Sequence, residues 1–181
     1  MIRIAITGPE CSGKTALSTW LSERIFDARM MPEHSRHYLE RNNLGKNYNN
    51  IDITNIGREL SVKMSKAFRS DNDVLICDTD FYVLDIWWRE KVGGSNLEFE
   101  EFKQTFDFDL FILCKPDLKW EEDPLRENPH DRDRLFDLYK EALERDDRSF
   151  YIVSGLGDTR MQQVLEKILR RFPNLMLKEE G

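Results

Sequence analysis

The sequence predicts an α/β domain: a five-stranded parallel sheet with helices on both faces. Two observations lead there. Five short apolar runs alternate with stretches whose apolar residues recur at helical spacing. Strands alternating with helices imply parallel pairing, with both faces of the sheet covered. In addition, a glycine-rich segment separates the first run from the first helical pattern, where such a sheet binds ligands. A chain of 181 residues suits one such domain with a real core, here 1–181.

The elements follow in order. Ile2–Thr7 is the first strand. Leu17, Trp20, Leu21 and Ile25 make the apolar stripe of the helix after the glycine segment. Ala28–Pro32 is a weaker strand. Ile53, Ile56, Leu60, Met64 and Phe68 mark the next helix, and Val74–Cys77 is a third strand. Val83, Leu84, Trp87 and Trp88 suggest another helix. Leu110–Cys114 is a fourth strand. Leu135, Phe136, Tyr139, Ala142 and Leu143 mark a helix for which Asn128 is the predicted N-cap, with Pro129 at its first position. Phe150–Val153 is the fifth strand. Thr159 and Gln162 read as a capping box opening a last helix, whose stripe is Met161, Val164, Leu165 and Ile168.

Gly8-Pro-Glu-Cys-Ser-Gly-Lys-Thr15 fits the phosphate-loop pattern G-x-x-x-x-G-K-[ST], directly after a predicted strand and before a predicted helix. Gly8 and Gly13 let the backbone approach a phosphate closely. The amides of the loop, from Glu10, Cys11 and Ser12 onward, face the anion with the helix N-terminus. Lys14 reaches the β- and γ-phosphates, and the Thr15 hydroxyl sits on Mg²⁺. ATP and Mg²⁺ are therefore the expected cofactors.

The carboxyl ends of the other strands supply further candidates. Asp78 ends an apolar strand, which fits an Mg²⁺ ligand as well as a simple turn residue. Asp80 either contacts a hydroxylated substrate or caps the helix beginning near Phe81. Glu33 can accept a proton from an attacking hydroxyl, and Arg36 can bind substrate or phosphate. The same residues also read as a helix start that favours acids, with Arg36 in a surface ion pair. His34 reads as structural. Ser154–Gly157 is the fourth strand-end segment. Lys115–Arg134 has three prolines and many charges, and reads as a mobile lid; Arg126, Arg132 and Arg134 could stabilise a moving phosphoryl group, although a solvated charge run has the same composition. Of the Trp87–Trp88 pair, one can stack on a substrate ring while the other packs in the core.

Apolar residues at 40% and charged residues at 34% describe a soluble globular chain. A net charge of -7 argues against a nucleic-acid partner. No run is long enough to span a membrane. The first strand begins at once, which predicts no signal peptide and a cytoplasmic location. Cys11, Cys77 and Cys114 show no metal-ligand spacing and no disulfide framework. Cys11 lies inside the loop, where a small residue fits.

Several segments in order resemble the ribosylnicotinamide kinase domain of the bacterial NadR proteins and related small P-loop ATP-binding proteins. They are G-P-E-C-S-G-K-T at Gly8–Thr15, E-H-S-R at Glu33–Arg36, D-T-D-F at Asp78–Phe81, D-L-F-I-L at Asp109–Leu113, and W-E-E-D-P-L-R at Trp120–Arg126. The resemblance implies a nucleoside-kinase-like P-loop NTPase fold and transfer of the ATP γ-phosphate to the 5′-hydroxyl of nicotinamide riboside. It implies Lys14, Glu33, Asp78 and Arg126 as catalytic residues, with Glu33 as base or Mg²⁺-water ligand. Thr15 and Asp78 would hold the metal. Gly8, Glu10, Cys11, Ser12, Gly13, Lys14, Thr15 and Arg132 would bind ATP, and Glu33, Arg36, Asp80 and Trp88 the nucleoside. The family often has an aromatic residue where His34 stands and glycine where Pro124 stands, which bears on substrate choice and lid flexibility. Another nucleoside as acceptor, and a nucleotide-binding regulatory module with slow ATPase activity, are the alternative readings.

Overall fold

A computed structural model describes residues 1–179. Five strands, β1 (Ile2–Thr7), β2 (Ala28–Met31), β3 (Val74–Asp78), β4 (Leu110–Cys114) and β5 (Phe150–Val153), form one sheet in the order β2-β3-β1-β4-β5, every pair parallel. The register sets Ile6 beside Asp78 and beside Ile112. The ends of β1, β3 and β4 therefore meet at one rim. β3 and β4, and β1 from Ile4 onward, are buried on both sides, which is why these stretches read as mostly apolar runs.

Alternate residues face two cores. Ile4, Ile6, Val74, Ile76, Leu110 and Ile112 pack under α1 (Lys14–Arg24) and α7 (Gly157–Arg171). Ala5, Leu75, Cys77, Phe111 and Leu113 face the larger core built by α2 (His34–Arg41), α3 (Asn50–Ala67), α4 (Phe81–Lys91), α5 (Leu97–Thr105) and α6 (Arg132–Arg145). Asn49 opens α3 with a capping box whose second member is Asp52.

Helix α5 has no apolar run long enough to announce it. Asn96 caps it, and Phe99 inserts under α3 so tightly that a Cβ on Gly57 would lie 2.3 Å from the Phe99 ring. The Lys103 ammonium, almost wholly buried, meets Asp85 Oδ2 of α4 at 2.9 Å and Glu100 at 2.9 Å. Removing one partner of such a pair strands a buried charge, which costs about 3–5 kcal/mol.

Two helix starts differ from the sequence reading. Helix α6 begins at Arg132 after Asp131, so Asn128 and Pro129 belong to the loop before it. Helix α7 begins at Gly157 after Leu156, with no side-chain cap, and the Thr159–Gln162 box does not form its start. Among the described residues, no helix is long and apolar enough to cross a membrane.

Candidate active site

The segment Gly8–Thr15 turns from β1 into α1. Gly8 has φ 129° and passes so close to β4 that a Cβ there would lie 2.7 Å from the Cys114 carbonyl oxygen. Gly13, with φ 80°, is the N-cap of α1. Lys14 Nζ donates to the carbonyls of Gly8 (3.0 Å) and Pro9 (2.8 Å), and Ser12 Oγ donates to Pro9 O at 2.7 Å. The loop, from Pro9 to Thr15, lines a cavity of about 710 Å³.

Arg160 closes this loop from behind, and sequence reasoning missed it. It is 2% exposed. Its guanidinium donates to the carbonyls of Ser12 (2.7 Å), Gly155 (3.0 Å) and Lys115 (3.3 Å), and to Asp117 Oδ1 at 2.6 Å. In sequence, an arginine one turn into a helix looks like any solvated cation. Ser154–Gly157 meets this cluster through the Gly155 amide, which donates to Asp117 Oδ2 at 2.7 Å. It does not line the cavity.

Asp78 ends β3 beneath Thr15, whose hydroxyl donates to its Oδ2 at 2.6 Å. Asp78 is 1% exposed and lies behind Thr15, outside the cavity lining. Its Oδ1 is buried with no protein partner. Burial raises its pKa above the ordinary carboxylate value, opposed by the Thr15 hydroxyl and by Lys14. Thr79 follows with φ 92°, a conformation that costs a non-glycine residue about 1–3 kcal/mol, and it does line the cavity. Asp80 caps α4, accepting the Tyr82 amide at 2.6 Å and the Val83 amide at 3.4 Å. Burial pushes its pKa up to about 6. Of the two readings of Asp80, the structure therefore realises the helix cap; the side chain does not line the cavity.

Glu33, at the N-cap of α2, lines the cavity across from the loop. Its Oε1 accepts from Ser35 Oγ at 2.5 Å. Its Oε2 takes no protein hydrogen bond among the described residues. Arg36 also lines the cavity and donates to Asp123 Oδ2 at 2.9 Å, so it ties α2 to the segment between β4 and α6. His34 points the other way. Its Nε2 meets Glu59 Oε2 at 2.9 Å and its Nδ1 meets Lys63 Nζ at 2.8 Å. Since an ammonium can only donate, Nδ1 accepts and Nε2 carries the proton. Burial, aided by Lys63, lowers the His34 pKa.

The segment 115–134 is docked over the loop. Arg126 lines the cavity, with Nη1 donating to Glu121 O at 2.6 Å and to Cys11 Sγ at 3.4 Å. Arg132 Nη1 donates to the carbonyls of Cys11 (3.0 Å) and Leu118 (3.1 Å), beside the Trp120 ring and outside the cavity lining. Arg134 turns outward to Glu90 and Asp131. Glu10 of the loop accepts the backbone amides of Glu127 and Asn128. Glu127 in turn accepts the Tyr48 hydroxyl at 2.8 Å and pairs with Lys91.

The structure reverses the tryptophan assignment. Trp87 lines the cavity, donates through Nε1 to Tyr48 OH at 2.8 Å and meets the Tyr48 ring edge-on at 4.8 Å. Trp88 lies about 100° further round the helix. It packs edge-on against Phe99 at 6.0 Å, away from the cavity. The three cysteines are free, Cys77 and Cys114 buried.

Among the described residues, no cluster of three or more His, Cys, Asp or Glu forms a metal cage. Mg²⁺ needs none: it is held by one or two protein oxygens together with substrate phosphates. The orphaned Oδ1 of Asp78 beside the Thr15 hydroxyl fits that donor set.

A family model described as an AAA domain matches residues 3–174. The chain is 28% identical over 153 residues to the trifunctional NAD biosynthesis/regulator protein NadR of Escherichia coli (strain K12), covering 81% of this chain and 37% of that protein. It thus spans little more than a third of the curated relatives it matches. A solved structure of NadR in complex with NR superposes with a TM-score of 0.79 at 16% identity, over 99% of this chain and 53% of that one. Another, with NAD and AMP-PNP, gives a TM-score of 0.77 at 18% identity, over 99% and 51%.

Proposed function

The chain belongs to the AAA domain family, and from that membership together with the cavity beside its phosphate loop we propose that it is an ATP-dependent kinase whose acceptor is the 5′-hydroxyl of nicotinamide riboside, giving nicotinamide mononucleotide. One observation carries the reading. Lys14 and Thr15 on one side and Glu33 on the other line a single cavity, with Trp87 and Tyr48 in its wall. A triphosphate on the loop leaves room for a ring-bearing alcohol between the two. The NadR structures with NR and with AMP-PNP, and the ordered sequence match, support this choice of acceptor and donor.

The loop amides and Lys14 bind the β- and γ-phosphates. Thr15 and Asp78 would hold Mg²⁺, which when bound neutralises charge on the phosphate oxygens. Glu33 Oε2 takes the proton of the 5′-hydroxyl as its oxygen bonds to the γ-phosphorus. The bond from that phosphorus to the bridging oxygen breaks, and ADP leaves. Arg36 and Arg126 both line the cavity, next to Asp123, and oppose the charge that spreads over the moving group. Residues 115–134 act as the lid that excludes water.

The test is a mass-spectrometric assay of the purified protein with ATP, Mg²⁺ and a panel of nucleosides. Nicotinamide mononucleotide as the main product supports the proposal. Phosphorylation of a different nucleoside alone would keep the kinase and discard this acceptor. ATP bound without transfer to any acceptor would favour a regulatory module.

A further inference from the structure

We infer that Arg160 is a positioning residue for the phosphate loop: by holding the Ser12 carbonyl from behind, it aims the Gly13 amide at the phosphates of the donor. This rests on the reading of the cavity as an ATP site. The peptide between Ser12 and Gly13 is planar and trans, since no cis bond occurs among the described residues. In a trans peptide the C=O and N–H vectors oppose one another. Whatever fixes the carbonyl therefore fixes the amide in the opposite direction. Arg160 Nη2 donates to Ser12 O at 2.7 Å. Arg160 itself does not line the cavity, whereas Gly13 does.

The need for an external hold is local. Gly13 has no side chain and sits at φ 80°, where glycine alone moves freely. Nothing in its own covalent structure selects one orientation of its amide. Arg160 supplies that selection from a rigid base. The same guanidinium reaches Lys115 O after β4 and Gly155 O at the end of β5, so the peptide is referred to two strand ends. Asp117 orients the fork from the far side, with Oδ1 on Nη1 at 2.6 Å and Oδ2 on the Gly155 amide. Apolar packing could fill this volume without desolvating a charge. Only a planar fork serves several acceptors in fixed directions, so lysine is not an equivalent.

The experiment uses Arg160→Lys and, separately, Asp117→Asn, which keeps the guanidinium but loosens its orientation. Mg-ATP and nicotinamide riboside affinities are measured apart by calorimetry, and the Gly13 amide is followed by ¹H–¹⁵N NMR. Losing one charge-assisted hydrogen bond should weaken Mg-ATP binding by about tenfold or more, with nicotinamide riboside affinity unchanged. The ATP-induced shift of the Gly13 amide should shrink in both variants. If Arg160→Lys fails to fold by circular dichroism, Asp117→Asn carries the same test. A folded variant with wild-type Mg-ATP affinity and an unaltered Gly13 shift would overturn the role of Arg160 alone. Absence of ATP binding by the wild-type protein would overturn the site reading beneath it.

Discussion

The Thr15 hydroxyl donates to Asp78 Oδ2 across 2.6 Å, joining the first turn of α1 to the last residue of β3. The second oxygen of that carboxylate is buried and unpartnered. A buried acid left half satisfied destabilises the fold, and it persists where a ligand completes it. Asp78→Asn should therefore melt no lower than the wild type, because it removes a desolvated charge. Phosphotransfer should fall by about 100-fold or more. Turnover and melting temperature measured on the same preparation check this; loss of both together would make Asp78 structural.

Lys14 bonds to two carbonyls of its own loop, at Gly8 and Pro9. Lys14→Ala should abolish transfer and weaken ATP binding. Unchanged ATP affinity by calorimetry would remove the phosphate-loop assignment.

Glu33 lines the cavity, with one oxygen on Ser35 and the other without a protein hydrogen bond among the described residues. Glu33→Gln keeps the shape and loses the base, so kcat should drop by about 10²–10⁴-fold while the acceptor KM changes little. Steady-state kinetics with nicotinamide riboside decide it: a raised KM at constant kcat would make Glu33 a binding residue only.

The two tryptophans should separate cleanly. Trp87→Leu should raise the acceptor KM by about tenfold through loss of an aromatic wall. Trp88→Leu should leave kinetics alone and cost about 1–3 kcal/mol of stability through its contact with Phe99. The reverse pattern would restore Trp88 to the site.

Asp80 carries a pH signature. Its pKa is about 6 in the fold, raised by burial from an ordinary 3.8. Between those values the native state holds a proton that the unfolded chain has released, so this residue's contribution to stability falls as pH rises through that window. Asp80→Asn keeps an N-cap oxygen and cannot ionise. The melting temperature of Asp80→Asn relative to wild type should therefore climb from pH 4 to 6 and level off above. A constant difference across that range would contradict it.

The sheet was legible in the sequence because β3 and β4, and β1 from Ile4 onward, are buried on both faces and leave short, mostly apolar runs. Helix α5 was not: Phe99, Phe102 and Phe106 sit among charges, and the signal that could have found them is Asn96 three residues before Phe99. That Lys14, Thr15 and Glu33 would face one cavity was readable because each lies at a strand end. Arg160 was not, because its partners at Ser12, Lys115 and Asp117 come from distant parts of the chain. Trp87 and Trp88 are adjacent in sequence, and only the phase of α4 against its neighbours separates wall from core.

Glu10 puts a negative charge inside a loop whose other groups attract anions. While residues 127–128 rest on it, two backbone amides donate to that carboxylate. If the segment lifts, the carboxylate is bare, and it stands among the groups that line the phosphate end of the cavity. With residues 127–128 in place, the Glu10 carboxylate is taken up by the chain that covers the loop instead of facing a polyanion.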